Sequence, residues 1–212
     1  MILAIDTTSE FGSLALVDKA GRVIDELSMR SPDGFSHVLY GHLTDFLARN
    51  HVGVAGISCF ASAAGPGSFT GVRVGLAAVK GLAEAAGKPA TAVSNLQALA
   101  AFGEMPLRAT LLDARRGDIF GAVYNAKLEI VRPEVVMQLE SWLETLPAEN
   151  IEFISTEIEK FACAPRRLAP TALAGAIGQI AWQRQRKGEV GDPALLDANY
   201  VRRSDAELFW KD

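Results

Sequence analysis

The sequence predicts an α/β protein made of two structurally related halves, and three observations carry that expectation. Apolar, β-branched runs of strand length alternate with longer stretches of helical period. The first three strand-like runs are joined by short turns, as an antiparallel meander requires. Leu3-Ala4-Ile5-Asp6 near the start is echoed by Thr110-Leu111-Leu112-Asp113, a second strand ending in aspartate. Between the two copies Gly103-Glu104-Met105-Pro106 breaks the pattern, which divides the chain into an N-terminal half, 1–104, and a C-terminal half, 105–212, whose tail is expected to pack back on the first.

In order, residues 1–6, 13–18 and 22–29 read as strands, separated by the hydroxyl-rich turn Thr7-Thr8-Ser9-Glu10-Phe11-Gly12 and by Ala20-Gly21. Residues 35–50 form an amphipathic helix with Phe35, Val38, Leu39, His42, Leu43, Phe46 and Leu47 near one face. A buried strand at 56–62 precedes the glycine-rich run Gly65-Pro66-Gly67-Ser68-Phe69-Thr70-Gly71-Val72-Arg73, which opens a helix through 86. Residues 89–93 make a short strand, and Ser94 caps a helix to about 102. The second half repeats the scheme, with strands at 108–113, 118–124, 129–137 and 151–155 and a short helix at 139–146. A longer helix follows at 171–187, with Pro170 suited to its first turn.

The glycine-rich run has two readings. Strand, turn and helix in that order place backbone N–H groups of Gly65, Gly67, Ser68 and Thr70, with Arg73 one turn on, where an anion can sit. Gly65-Pro66-Gly67 equally makes a tight turn with no ligand. The run matches neither standard nucleotide fingerprint. The helix it opens is apolar or small nearly all round, with Arg73, Lys80 and Glu84 on one stripe. A helix on a sheet needs only one apolar face. The side carrying Gly71, Val74, Gly75, Ala78, Leu82 and Ala85 is therefore a candidate contact surface for another helix, the alternative being burial in its own domain.

Composition excludes several classes. Of 212 residues, 49% are hydrophobic and 22% charged, so the chain buries a real core and disorder is not expected. A net charge of -4 argues against strong nucleic-acid binding through the global field. The basic clusters Arg166-Arg167, Arg184-Gln185-Arg186-Lys187 and Arg202-Arg203 remain as local candidates. No segment has the length of an apolar membrane span, the N-terminal run lacks a basic leader, and the two cysteines lie far apart, so a reduced, cytoplasmic protein is expected. His37 and His42 are five residues apart, about 140° around a helix, out of register for the i, i+3 or i+4 pair of a helical metal site. No metal site and no intrinsic cofactor is expected.

Ile2-Leu3-Ala4-Ile5-Asp6-Thr7, the Gly65-to-Arg73 run, Asp113-Ala114-Arg115 and Tyr200-Val201-Arg202 together resemble the TsaB (YeaZ) family nearly end to end. The resemblance implies two tandem actin-like (ASKHA, ribonuclease H-like) subdomains with mixed sheets. It also implies a non-catalytic scaffold in making N6-threonylcarbamoyladenosine at position 37 of tRNA. In that role the chain dimerises with a metal-bearing TsaD-like transferase through Phe35, Val38, Leu39, His42, Gly71, Val74, Gly75, Ala78 and Leu82. It helps recruit a TsaE-like ATPase, forms a homodimer in isolation, and meets tRNA, or weakly ATP or ADP, only within the complex. Asp6, Thr7, Thr8 and Asp113 then form a degenerate phosphate-type site, since working kinases of this fold place glycine where Thr7 and Thr8 stand. The alternative is an active actin-like ATPase or small-molecule kinase using those four residues. A metallopeptidase is disfavoured by the histidine register.

Overall fold

The computed structural model describes residues 1–147, 150–161, 163 and 165–201. Arg202-Arg203 and the apolar cluster Leu208-Phe209-Trp210 fall outside the described residues. The described residues form two compact units, Met1–Ala98 with Pro170–Ala198, and Leu99–Ala169 with 199–201.

In the first unit, β1 (Ile2–Asp6), β2 (Phe11–Val17) and β3 (Val23–Arg30) form the antiparallel meander, and β4 (Cys59–Ala63) and β5 (Ala90–Val93) add in parallel beyond β1. The sheet order is β3-β2-β1-β4-β5. Alternation along β1 sends Leu3 and Ile5 to one face, where they join Leu14, Leu16 and Phe60 under α1 (Leu39–Arg49) and α2 (Phe69–Ala86). The other face is built from small residues. There α5 (Ala174–Lys187) packs on β1, β2 and β4, close enough that a Cβ on Gly178 would stand 2.6 Å from Val17 Cγ2.

That packing corrects the expected division of the chain. The division between Ala98 and Leu99, within the short helix α3 (Asn95–Ala100), lies near the expected 104/105 boundary. However, 170–198 belongs to the first unit, because the Ala4 face of that sheet is buried by α5. The N-terminus of α5 is tied to the same sheet. Ser13 Oγ accepts from Leu173 N (3.1 Å) and Ala174 N (2.9 Å), and Glu26 Oε1 accepts from Gly175 N (2.7 Å).

The second unit repeats the topology. β6 (Leu107–Arg115), β7 (Asp118–Asn125) and β8 (Ile130–Gln138) form an antiparallel meander, and β9 (Ile151–Ser155) and β10 (Arg166–Leu168) extend it in parallel from β6, in the order β10-β9-β6-β7-β8. Counted from each unit's first strand, both sheets run 3-2-1-4-5. The short α4 (Leu139–Glu144) covers one face, with Trp142 edge-on to Phe153 at 6.4 Å. Pro133 lies in β8, an edge strand, where its missing N–H costs no ladder bond. β10 carries no period of its own in the sequence; three residues are too few to show one.

Candidate functional site

The turn after β1 is where an actin-like fold would hold phosphate, and its residues come together in this chain. Asp6, Thr7 and Thr8 are all buried. Asp6 Oδ1 accepts from Thr8 N (2.9 Å) and Thr8 Oγ1 (2.6 Å). Asn95 Nδ2 donates to Thr8 Oγ1 (2.7 Å), while Asn95 Oδ1 accepts from Gly65 N (3.0 Å). Burial pushes the Asp6 carboxyl above its ordinary value, against the pull of the Thr8 and Asn95 hydrogen bonds.

The glycine-rich run closes onto this turn. Its Gly65–Pro66 peptide is cis. Ser68 N donates to Thr8 O (2.6 Å), and Thr7 Oγ1 donates to Gly71 O (2.7 Å). Ser68 caps α2 by accepting from Gly71 N (3.3 Å). The approach is glycine-dependent. A Cβ on Gly67 would stand 2.5 Å from Thr8 O, one on Gly71 would overlap the Thr7 carbonyl oxygen, and one on Gly75 would stand 2.8 Å from Thr7 Oγ1. Of the N–H groups on which the anion reading rests, Gly65 N is spent on Asn95 Oδ1 and Ser68 N on Thr8 O. Asn95 is the member of this network that the sequence reading missed. The cue was present, since Asn95 follows the Ser94 cap, whose Oγ accepts from Leu96 N and Gln97 N.

The expected partner face needs correction. Gly71, Gly75 and Ala78 are buried against their own sheet, as are Leu39, the first residue of α1, and Phe35, which lies in the turn before α1 and not in the helix expected from 35. Val74, Leu82, Val38 and His42 are only half-buried. The side of α2 turned to solvent carries Phe69, Thr70, Arg73, Ala77, Gly81, Glu84 and Ala85, of which only Ala85 belonged to the expected side. It too is small along Ala77, Gly81 and Ala85, and a Cβ on Gly81 would meet nothing. Arg73 lies over the Phe69 ring at 3.2 Å. On α1 the outward residues are Tyr40, Gly41, Thr44, Asp45 and Ala48, with Tyr40 58% exposed.

In the second unit Asp113 sits at the equivalent end of β6 but in a different setting. It is exposed, accepts from Arg115 N (2.7 Å) and lies 3.9 Å from Lys160 Nζ. The strand runs directly into a two-residue hairpin, Arg116-Gly117, with both φ angles positive (56° and 84°). No loop is left there to embrace a phosphate. One arginine of each of two basic clusters is engaged internally. Arg167 pairs with Glu152 and Glu104, and Arg184 bonds Thr91, Ala92 O and Gln97. Among the described residues, no group of three His, Cys, Asp or Glu side chains is placed to hold a metal ion. Cys59 is buried in β4 with its thiol pushed up to about 12, far from nucleophilic at neutral pH.

A duplicated 3-2-1-4-5 mixed sheet with an aspartate at or near the end of each first strand defines the actin-like, ribonuclease H-like class. Comparison with known proteins narrows this. A family model described as TsaD, tRNA N6-adenosine threonylcarbamoyltransferase, matches residues 33–175. The tRNA threonylcarbamoyladenosine biosynthesis protein TsaB of Bacillus subtilis (strain 168) is 30% identical over 225 residues, covering 99% of this chain and 97% of that protein. Its Escherichia coli (strain K12) namesake is 35% identical over 128 residues, covering 58% and 54% respectively. The solved structure of YeaZ from Pseudomonas aeruginosa superposes with a TM-score of 0.81 at 26% identity, over 94% of this chain and 98% of that one. The chain belongs to the TsaB (YeaZ) family.

Proposed function

We propose that this chain is a non-catalytic scaffold and activator subunit in the N6-threonylcarbamoyladenosine modification of tRNA, working in the cytoplasm by pairing with a TsaD-type transferase and helping to recruit a TsaE-type ATPase. The observation that carries the reading is the closed turn. Asp6 spends Oδ1 on Thr8, and Ser68 N is taken by the Thr8 carbonyl. A residue so enclosed cannot hold metal and phosphate while its neighbours keep these bonds. The name borne by the relatives supplies the pathway.

The partner surface in this proposal is the outward side of α1 and α2, centred on Tyr40, Ala77 and Gly81, with Val38, His42, Val74 and Leu82 at its margin. Small residues spaced by four let a second helix backbone approach closely, and Tyr40 supplies the large exposed anchor that interfaces favour. The same surface serves a homodimer when no TsaD-type partner is present. ATP or ADP at the Asp6 turn, and tRNA as the substrate of modification, are engaged only in the assembled complex.

The test is reconstitution. The purified chain alone is expected neither to hydrolyse ATP nor to modify tRNA, to co-elute with a TsaD-type protein on gel filtration, and to switch on modification in the mixture. ATP hydrolysis by the isolated chain that disappears in Asp6→Ala would overturn the proposal in favour of the kinase reading.

A further inference from the structure

At the end of the first sheet opposite Asp6, about 13 Å away along β1, lies a cavity of ≈ 220 Å³ whose lining includes Asp18, Lys19, Ser58, Trp182, Gln185 and Arg186. Its charges are unbalanced in a specific way. The one carboxylate in the lining, Asp18, is spent: its Oδ1 accepts from Ala20 N (2.8 Å) and Arg22 N (2.9 Å), and its Oδ2 is paired with the Arg22 guanidinium at 2.7 Å. Lys19 and Arg186 have no carboxylate within ion-pair distance among the described residues. Arg186 instead lies over the Trp182 ring at 5.0 Å.

The indole is held as a wall. Its Nε1 donates to Lys19 O (3.0 Å), and Gly21 packs so close that a Cβ there would stand 2.8 Å from the ring. The ring therefore has no donor to offer and presents flat apolar surface. Gln185 Nε2 is turned to Ser58 O (3.2 Å). Beside the Met1 ammonium, which donates to Ser58 Oγ (3.1 Å), the remaining chemistry is one aromatic wall and two cationic side chains without a carboxylate, one of them resting on that wall by an exposed cation–π contact, which is weak enough to be exchanged. A volume below the roughly 300 Å³ at which sites enclose drug-sized molecules admits a single planar ring, with any attached charge left at the rim.

We propose that this cavity binds a nucleoside monophosphate unit, free or as one nucleotide of an RNA strand, with the base against Trp182 and the phosphate on Lys19 and Arg186. Arg186 leaves the indole to meet the phosphate, so the charge-assisted contact replaces the cation–π one. The proposal does not depend on the function inferred above, since it uses none of the residues of the Asp6 turn or of the outward helix faces.

The test is calorimetric titration of the full chain with adenosine monophosphate, with adenosine, and with a six-nucleotide oligoadenylate. Adenosine monophosphate is expected to bind about tenfold more tightly than adenosine, and Lys19→Gln and Arg186→Gln are each expected to weaken it about tenfold. Both substituted residues are exposed, so folding is not at stake. Binding of the oligonucleotide but not the free nucleotide, lost in the same two variants, supports the site with RNA as its source. Equal binding of adenosine and its monophosphate, or indifference to both substitutions, overturns the proposal. So does a loss on Asp6→Asn with none on Lys19→Gln, which would place the nucleotide at the other end of β1.

Discussion

Gly71 and Gly81 sit ten residues apart on one helix and have opposite reasons to be glycine. At Gly71 a side chain has nowhere to go, because the Thr7 carbonyl occupies the space, and at Gly75 the Thr7 hydroxyl does nearly the same. Gly71→Ala and Gly75→Ala should each cost about 1–3 kcal/mol, lowering the thermal midpoint by several degrees. Gly81→Ala should instead gain about 0.5–1 kcal/mol from helix propensity. Differential scanning calorimetry of the three variants checks both signs at once. Asp6 makes a separate case. Burial raises its folded-state carboxyl above the unfolded value, so between those two values the folded chain holds more protons. Its contribution to stability is therefore lost as pH rises through that window and regained as pH falls. Asp6→Asn keeps an acceptor for Thr8 and loses the buried charge. The variant should be at least as stable as the parent at pH 7, and its advantage should shrink on acidification towards pH 4. Denaturant midpoints of the pair across that range give the answer, and an advantage that grows on acidification would contradict it.

Among the elements, the long periodic ones were legible in the sequence and the contact face of α2 was not. Helices at 69–86 and 174–187 and the two meanders declare themselves by period, and Ile151–Ser155 falls where the pattern places it. The face of α2 was missed because nearly every residue on it is small or apolar, so periodicity has no contrast to read. Only the approach of Thr7 and Ser62 to Gly75 tells inside from outside. The correction changes what mutations should do. Ala78 is buried against the sheet, so Ala78→Trp should badly destabilise the fold. Ala77→Trp, on the outward side, should leave the thermal midpoint nearly unchanged while abolishing co-elution with a TsaD-type partner, since a clash at an interface centre removes most of the binding energy. Assembly by Ala77→Trp at parental strength would move the partner surface elsewhere. The α5 terminus gives a smaller effect. Ser13→Ala strips an acceptor shared by Leu173 N and Ala174 N and should cost about 1 kcal/mol, measurable by urea unfolding.

For the whole molecule, the repeat of a strand carrying aspartate near its end revealed the duplication, and a return of the tail to the first half was expected, but not that it begins at residue 170 and includes α5. Nothing in the helix at 174–187 states which sheet it covers. That is decided by complementary small surfaces, Gly178 meeting Val17 and Ala4, which lie more than 160 residues apart in sequence. A chain ending at residue 169 should therefore lack a native first unit, with its Ala4 face bare, and adding residues 170–201 as a separate peptide should restore protection from proteolysis. The same arrangement sets an order on biosynthesis. Residues 1–98 leave the ribosome first yet must wait for α5, while the inserted segment 99–169, with its own core, can fold in the interval. The usual N-terminal-first sequence of domain folding is inverted. During that wait the nascent chain displays an open sheet face, and a trigger-type chaperone near the exit tunnel would find its client there.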